Sequence, residues 1–232
     1  GLDAIYWNPA GLATLNTTRN FAINHTNYFA DMSFDNVAFT MPAFGGVVGV
    51  SGLALLSGDI EVTTVEEPDG TGEDYSANDY AFGLSYATNL TQKFSVGVSG
   101  RMISQSIAEL SATSWSLDVG AVYRIGVFNN MKVGFSIVNF GPDMRYTGDD
   151  LLFRTAVFTE EGAQAEDVRA EYLTEKYQLP LRLQMGFSMD VFRAGNHAMI
   201  AAIDAINPND QDESFVVGVE YALMERYFLR AG

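Results

Sequence analysis

A chain of 232 residues, 47% of them hydrophobic, is long enough for one large core or one barrel and does not require two domains. Its 29 acidic residues against 13 basic ones give a formal charge of −16, which excludes the basic surface that nucleic-acid binding demands. With no cysteine there is no disulfide framework, no thiolate metal site and no cysteine nucleophile.

The chain opens on Asp3-Ala4-Ile5-Tyr6-Trp7-Asn8-Pro9-Ala10-Gly11-Leu12-Ala13. Pro9 biases Asn8 towards an extended backbone, and Gly11 permits a turn. Ile5, Tyr6, Trp7 and Leu12 make the segment too apolar for an exposed tail, yet it is too short to cross a bilayer. It is expected to dock as a plug inside something larger, with Asn8, Pro9, Ala10 and Gly11 as the plug motif. The expected division is a plug over residues 1–18 and a β-barrel over residues 19–232. The chain lacks an initiator Met and begins in mid-motif, so an export signal is expected upstream.

From about residue 19 onwards apolar and polar residues alternate. Less regular strand candidates cover residues 21–29, 36–41, 47–56 and 197–206. Clear ones cover 80–86, 94–102, 115–125, 131–137, 181–191 and 215–223, and an eleventh begins near Tyr227. In the third, Trp115, Leu117, Val119, Ala121, Tyr123 and Ile125 interleave with Ser116, Asp118, Gly120, Val122 and Arg124. Such strands have one apolar and one polar face. No run is long enough for a membrane helix, which leaves a membrane barrel open.

The connections fall into two classes that alternate along the chain. Short links lie at residues 43–46, 89–92, 127–130, 193–196 and around 224–225. Longer ones lie at 58–78, 107–111, 141–178 and 207–212, and the short link near Asp31 joins this class by order. Tight turns at one end and long loops at the other describe an up-and-down membrane barrel. Residues 58–79 hold Asp59, Glu61, Glu66, Glu67, Asp69, Glu73, Asp74 and Asp79 with no Lys or Arg, and residues 141–178 add nine carboxylates. That acidic outer face reads as a solvated surface or, more sharply, as a surface for divalent cations or a partner protein.

Gly-apolar-Ser recurs at Gly49-Val50-Ser51, Gly83-Leu84-Ser85, Gly97-Val98-Ser99, Gly134-Phe135-Ser136 and Gly186-Phe187-Ser188. Glycine facing water only weakens a strand, whereas facing inwards it lets a plug or ligand approach closely. Arg101, Asp118, Arg124, Arg182, Asp190 and Glu220 share that small-residue face. The inner face is therefore expected to be a polar lumen, and the apolar face to meet lipid. Gly49 and Gly52 could kink the third strand and open the wall; the other reading is close packing against the plug.

Chemistry is thin. None of the Gly-x-Ser copies completes a G-x-S-x-G elbow, and His25 and His197 stand far apart. Residues 207–213 are rich in oxygen ligands but lack the glycine and spacing of a calcium loop, so no metal is expected. The residues point to no enzyme and no cofactor.

The opening segment resembles the N-terminal signature of the PorV/PorQ-like outer-membrane proteins, relatives of the FadL channels. The likeness extends through Asn27-Tyr28-Phe29-Ala30-Asp31, Ser57-Gly58-Asp59-Ile60-Glu61-Val62-Thr63-Thr64, Asn139-Phe140-Gly141-Pro142, Leu179-Pro180-Leu181 and Tyr227-Phe228-Leu229-Arg230-Ala231-Gly232. It implies an all-β, FadL-like transmembrane antiparallel up-and-down β-barrel of about 14 strands in the bacterial outer membrane. About 10–11 are visible here, so C-terminal strands are expected to be missing. It further implies a non-enzymatic, PorV-like component of type IX protein secretion, binding cargo or translocon through its outer loops. The alternative it implies is a FadL-like channel for hydrophobic small molecules.

Overall fold

A computed structural model describes residues 1–126, 129–157, 166–224 and 226–232. The chain begins with a one-turn helix, α1 (Ala4–Trp7), and a 3-10 helix (Pro9–Leu15). There follow β1 (Asn20–Asn27), β2 (Ser33–Ala43), β3 (Gly46–Leu56), β4 (Ile60–Glu61), β5 (Asp74–Tyr75), β6 (Ala77–Asn89), β7 (Phe94–Ile107) and β8 (Leu110–Arg124). Then come β9 (Lys132–Phe140), β10 (Thr147–Gly148), β11 (Leu152–Val157), β12 (Glu166–Glu171), β13 (Arg182–Ala194), β14 (His197–Pro208), β15 (Ser214–Leu223) and β16 (Tyr227–Ala231). The fold is all-β, and no helix among the described residues is long and apolar enough to cross a membrane.

Every long strand pairs antiparallel with its sequence neighbour, in the order β1-β2-β3-β6-β7-β8-β9-β13-β14-β15-β16. β4 pairs with β5, and β11 with β12, as separate two-stranded pieces outside this sheet. The β2–β3 turn is a two-residue hairpin with Phe44 and Gly45 both at positive φ (52° and 73°), the geometry that matches strand twist. The β13–β14 turn is equally tight, closing from Ala194 to His197. The long connections leave from the opposite end. One expected long link, residues 107–111, is instead a two-residue turn: Ile107 pairs with Leu110, and Ala108 takes a φ of 49°. The expected strands stop at Met102 and start again at Trp115, because the residues between, Ser104, Gln105, Ser106 and Ser111 among them, are largely polar. Beyond the apolar zone, however, strands go on pairing without needing apolar side chains.

The sheet curls. Tyr6 donates a hydrogen bond to the Val37 carbonyl of β2, while the adjacent Trp7 lies under Arg182 of β13. In a flat sheet those strands would stand about 29 Å apart, six spacings of about 4.8 Å. Neighbouring residues with Cα atoms about 3.8 Å apart cannot bridge that distance, so the wall must wrap around the N-terminal segment.

Burial identifies the two faces. Along β8, Ala112, Ser114, Ser116 and Asp118 are buried, whereas Trp115 is 57% exposed and Leu117 and Val119 are also exposed. On β13 Leu183, Met185, Phe187 and Met189 are exposed, between half-buried Arg182, Gln184, Gly186 and Ser188. This inverts the arrangement of a water-soluble protein. The polar, small-residue face is inside, and the apolar face is outside.

Candidate functional site

The interior is layered from the short-turn end to the long-loop end. At the short-turn end, the N-terminal segment packs on β3, β6, β7 and β8. Ile5, Leu12 and Ala13 form a buried cluster with Ala38, Val47 and Ala87. The glycines make room for it: a Cβ at Gly97 would strike Ala10 N and the Pro9 carbonyl, and one at Gly120 would strike Asn8 Oδ1. Pro9 and Ala10 are fully buried as a result. Asn8 is extended, as the following proline requires, and its amide is fully used. Nδ2 donates to the carbonyls of Ala121 (3.3 Å) and Phe135 (3.2 Å), and Oδ1 accepts from Ala10 N at 3.1 Å. Gly11 serves a different purpose from the expected turn. It lies within the 3-10 helix, where a Cβ would come within 2.8 Å of Ala4 Cβ, so close packing is what demands glycine.

Gly49 and Gly52 lie in an unbroken β3, which keeps one register with β2 and one with β6 along its whole length. A Cβ at Gly49 would touch Ile5, Thr40 and Leu12, and one at Gly52 would touch Val37. The Gly49 contacts belong to the packing of the N-terminal segment.

Above that segment lies a charged layer. Arg101 of β7 donates to Asp118 Oδ2 of β8 through Nε at 2.9 Å and through a second guanidinium nitrogen. Asp118 is 1% exposed, and its Oδ1 accepts Asn139 N at 2.7 Å. That second bond answers a local irregularity. Leu117 pairs with Phe140 and Val119 with Ile137, so Val138 and Asn139 oppose Asp118 alone, and Asn139 takes a φ of 64°. The bulge frees an N–H, and the Asp118 carboxylate receives it. Arg182 of β13 joins this layer: it pairs with Val138 of β9, which opposes Asp118, and its guanidinium lies 4.6 Å from the Trp7 ring centroid.

The long-loop end is closed by residues 141–157 and 166–181, an outer strap. Met144 and Tyr177 pair through both backbone bonds (2.8 and 3.0 Å), and Met144, Leu179 and Ala112 form a buried cluster. The Tyr177 hydroxyl donates to Gln105 Oε1 of β7 at 2.7 Å, and its ring stacks on Tyr146 with centroids 5.7 Å apart. Burial, then Tyr146 and the charge of Asp79, push the Tyr177 phenol above its ordinary value. Ser114 donates to the Pro142 carbonyl and Asn139 to the Pro180 carbonyl, tying the strap to the wall.

The six charged residues expected on the inner face do not form one site. Arg101, Asp118 and Arg182 make the central layer. Arg124 sits lower, donating to Ser95 Oγ at 2.9 Å. Asp190 is at the short-turn end, accepting from Asn130 Nδ2 (2.8 Å) and Arg193 Nε (3.1 Å). Glu220 pairs with Arg230 of β16 at 2.6 Å. Ser116, Lys132, Gln184 and Asp204 also face the interior and were not singled out beforehand. A cavity of about 400 Å³ between the N-terminal segment and β9, β13 and β14 is lined by Trp7, Asn8, Arg124, Lys132, Gln184 and Asp204. Parity from Gly134 would have found Lys132, but the Ala/Ile-rich β14 alternates too weakly to assign Asp204. Trp7 was expected to be buried; it is 49% exposed, because it faces this cavity and the underside of Arg182.

No side-chain group of three or more His, Asp or Glu residues among the described residues could hold a metal ion. His25 and His197 each bond a cross-strand neighbour, Asp35 and Tyr221 respectively.

The family model of the type IX secretion system protein PorV matches residues 3–159. The chain belongs to that PorV family. The match covers about two thirds of the 232 residues, from the N-terminal segment to the near half of the strap. A comparison with curated proteins returns no match. Membership of a type IX secretion family agrees with the antiparallel meander and its inverted faces.

Proposed function

We propose that this PorV-family chain forms the wall (residues 19–232) and plug (residues 1–18) of an outer-membrane barrel. In that barrel it would serve type IX secretion by holding cargo or translocon proteins through its outer loops. The observation that carries the membrane location is the face inversion: Trp115, Leu117, Leu183, Met185 and Phe187 are exposed, while Ser116 and Asp118 opposite them are buried. Only a lipid surround makes that arrangement favourable. The loops supply the binding surface. The β4–β5 piece belongs to an acidic connection without Lys or Arg, and β11 and β12 pair with each other outside the main sheet. Loops held on a rigid scaffold are where binding function concentrates.

The hydrophobic-channel reading has less support. The Gly49 contacts are taken up by Ile5 and Leu12, β3 has no register break, and the interior holds Arg101, Asp118 and Arg182. The deciding experiment is purification of the full-length protein from its native membrane, with and without residues 58–79. Translocon or cargo proteins that co-purify with the intact protein and are lost with the loop support the reading. Bound fatty acid with no protein partner overturns it.

A further inference from the structure

Among the described residues the central layer holds two guanidinium groups, Arg101 and Arg182, and one carboxylate, Asp118. Asp118 is saturated: Oδ2 takes both Arg101 nitrogens, and Oδ1 takes Asn139 N. Arg182 therefore faces the same layer without a carboxylate of its own, and its Nε is buried with no hydrogen-bond partner among the described residues. Ser116, which pairs across the strands with Arg101, is 1% exposed, and its hydroxyl is equally unpartnered. Buried donors without acceptors are costly, and a half-buried guanidinium without a carboxylate partner favours an anion beside it.

The layer is also a bounded space. Strap contacts reach down β8 to Ser114, and contacts from the N-terminal segment begin at Gly120. Those positions are six residues apart, about 20 Å of strand, and Ser116 and Asp118 line the gap. The Trp7 ring lies beneath Arg182, its centroid 4.6 Å from the guanidinium carbon, and attracts the cation from that side. A guanidinium fork matches the two oxygens of a carboxylate or phosphate.

We propose that this layer is an anion-binding site, in which Arg182 and Ser116, flanked by Arg101, hold one oxyanion of the carboxylate or phosphate class inside the lumen. The site is separate from the outer loops and independent of the secretion role. It differs from the lower cavity, where Arg124 and Lys132 face Asp204.

Trp7 is a built-in reporter, because Trp7 and Trp115 are the two tryptophans of this chain and Trp115 faces outwards. The full-length protein carrying Trp115→Phe, with phenylalanine also at any tryptophan outside these 232 residues, in detergent or nanodiscs, is titrated with acetate and with inorganic phosphate against chloride at constant ionic strength. Trp7 emission is expected to change saturably with at least one of them, with half-saturation around 1 mM. Saturation by acetate alone assigns a carboxylate ligand, and saturation by phosphate alone a phosphoryl one. Arg182→Gln should weaken binding about tenfold or more, the loss of one charge-assisted contact. Arg182→Lys should bind at an intermediate level, and Arg124→Gln should be unchanged. Heat-modifiability on gels checks that each variant still folds. No saturable change with either anion, or an unchanged titration in folded Arg182→Gln or Arg182→Lys, overturns the site.

Discussion

The N-terminal segment and the outer strap both pack against the inner face of the same sheet, at opposite ends, and they do so by different means. The N-terminal segment buries Ile5, Leu12 and Ala13 against β-strands whose glycines bring backbone to backbone. The strap buries little beyond Met144 and Leu179 and relies on hydrogen bonds from Tyr177, Ser114 and Asn139. Apolar burial against a glycine-lined wall is close-packed and has no alternative arrangement. Side-chain hydrogen bonds at a loop can be exchanged for water at small net cost. The comparison teaches that one end holds its segment by close packing and the other by hydrogen bonds that water can replace.

Four substitutions test that contrast. The largest effect is expected at the layer between the two ends. Asp118→Ala strands Arg101 and the Asn139 N–H together and should cost about 3–5 kcal/mol, read as loss of resistance to denaturant in detergent. Because Asp118 holds Arg101 of the wall and Asn139, whose side chain donates to the Pro180 carbonyl of the strap, protease should then cut residues 1–18 and the strap alike. Cutting at one end only would show that the layer does not couple them.

Leu12→Ala should follow, at about 2–5 kcal/mol, since Leu12 is fully buried and its surroundings cannot collapse onto the cavity. Proteolysis should rise at the N-terminus while the strap stays protected. Asn8→Ala should cost about 1–3 kcal/mol by removing the amide's bonds to the Ala121 and Phe135 carbonyls. The readout is amide exchange in the 3-10 helix, where unchanged protection would mean the apolar contacts suffice. Tyr177→Phe should have the smallest effect, about 0.5–1.5 kcal/mol, confined to the strap. If it loosened the N-terminal segment as well, the two ends would be one cooperative unit and the contrast would fail.

Much of the wall was legible in residue order. Trp115, Leu117 and Val119 against Ser116 and Asp118 give the faces of β8 directly, and each of the ten strand candidates, with the eleventh near Tyr227, corresponds to a strand of the sheet. The inner residues were legible as a set, but their grouping was not. Arg101, Arg182 and Asp190 were read onto one face, yet only the first two lie at the level of Asp118, while Asp190 sits at the short-turn end. The strap was invisible as a structure: residues 141–178 read as an acidic loop, although Met144, Tyr177 and Leu179 fold back onto the sheet. The short link expected at 127–130 includes positions outside the described residues.

Residue order alone determined what is local. Alternation with period two sets which side chains share a face, the spacing of turn residues sets short and long connections, and Pro9 sets the backbone of Asn8. Tertiary structure decided everything that depends on curvature. Until the sheet wraps, Tyr6 and Trp7 cannot touch β2 and β13. The reason is that strand-to-strand distances across an open sheet carry no trace in sequence spacing. Only the curling of the sheet around the N-terminal segment converts six strand spacings into contact.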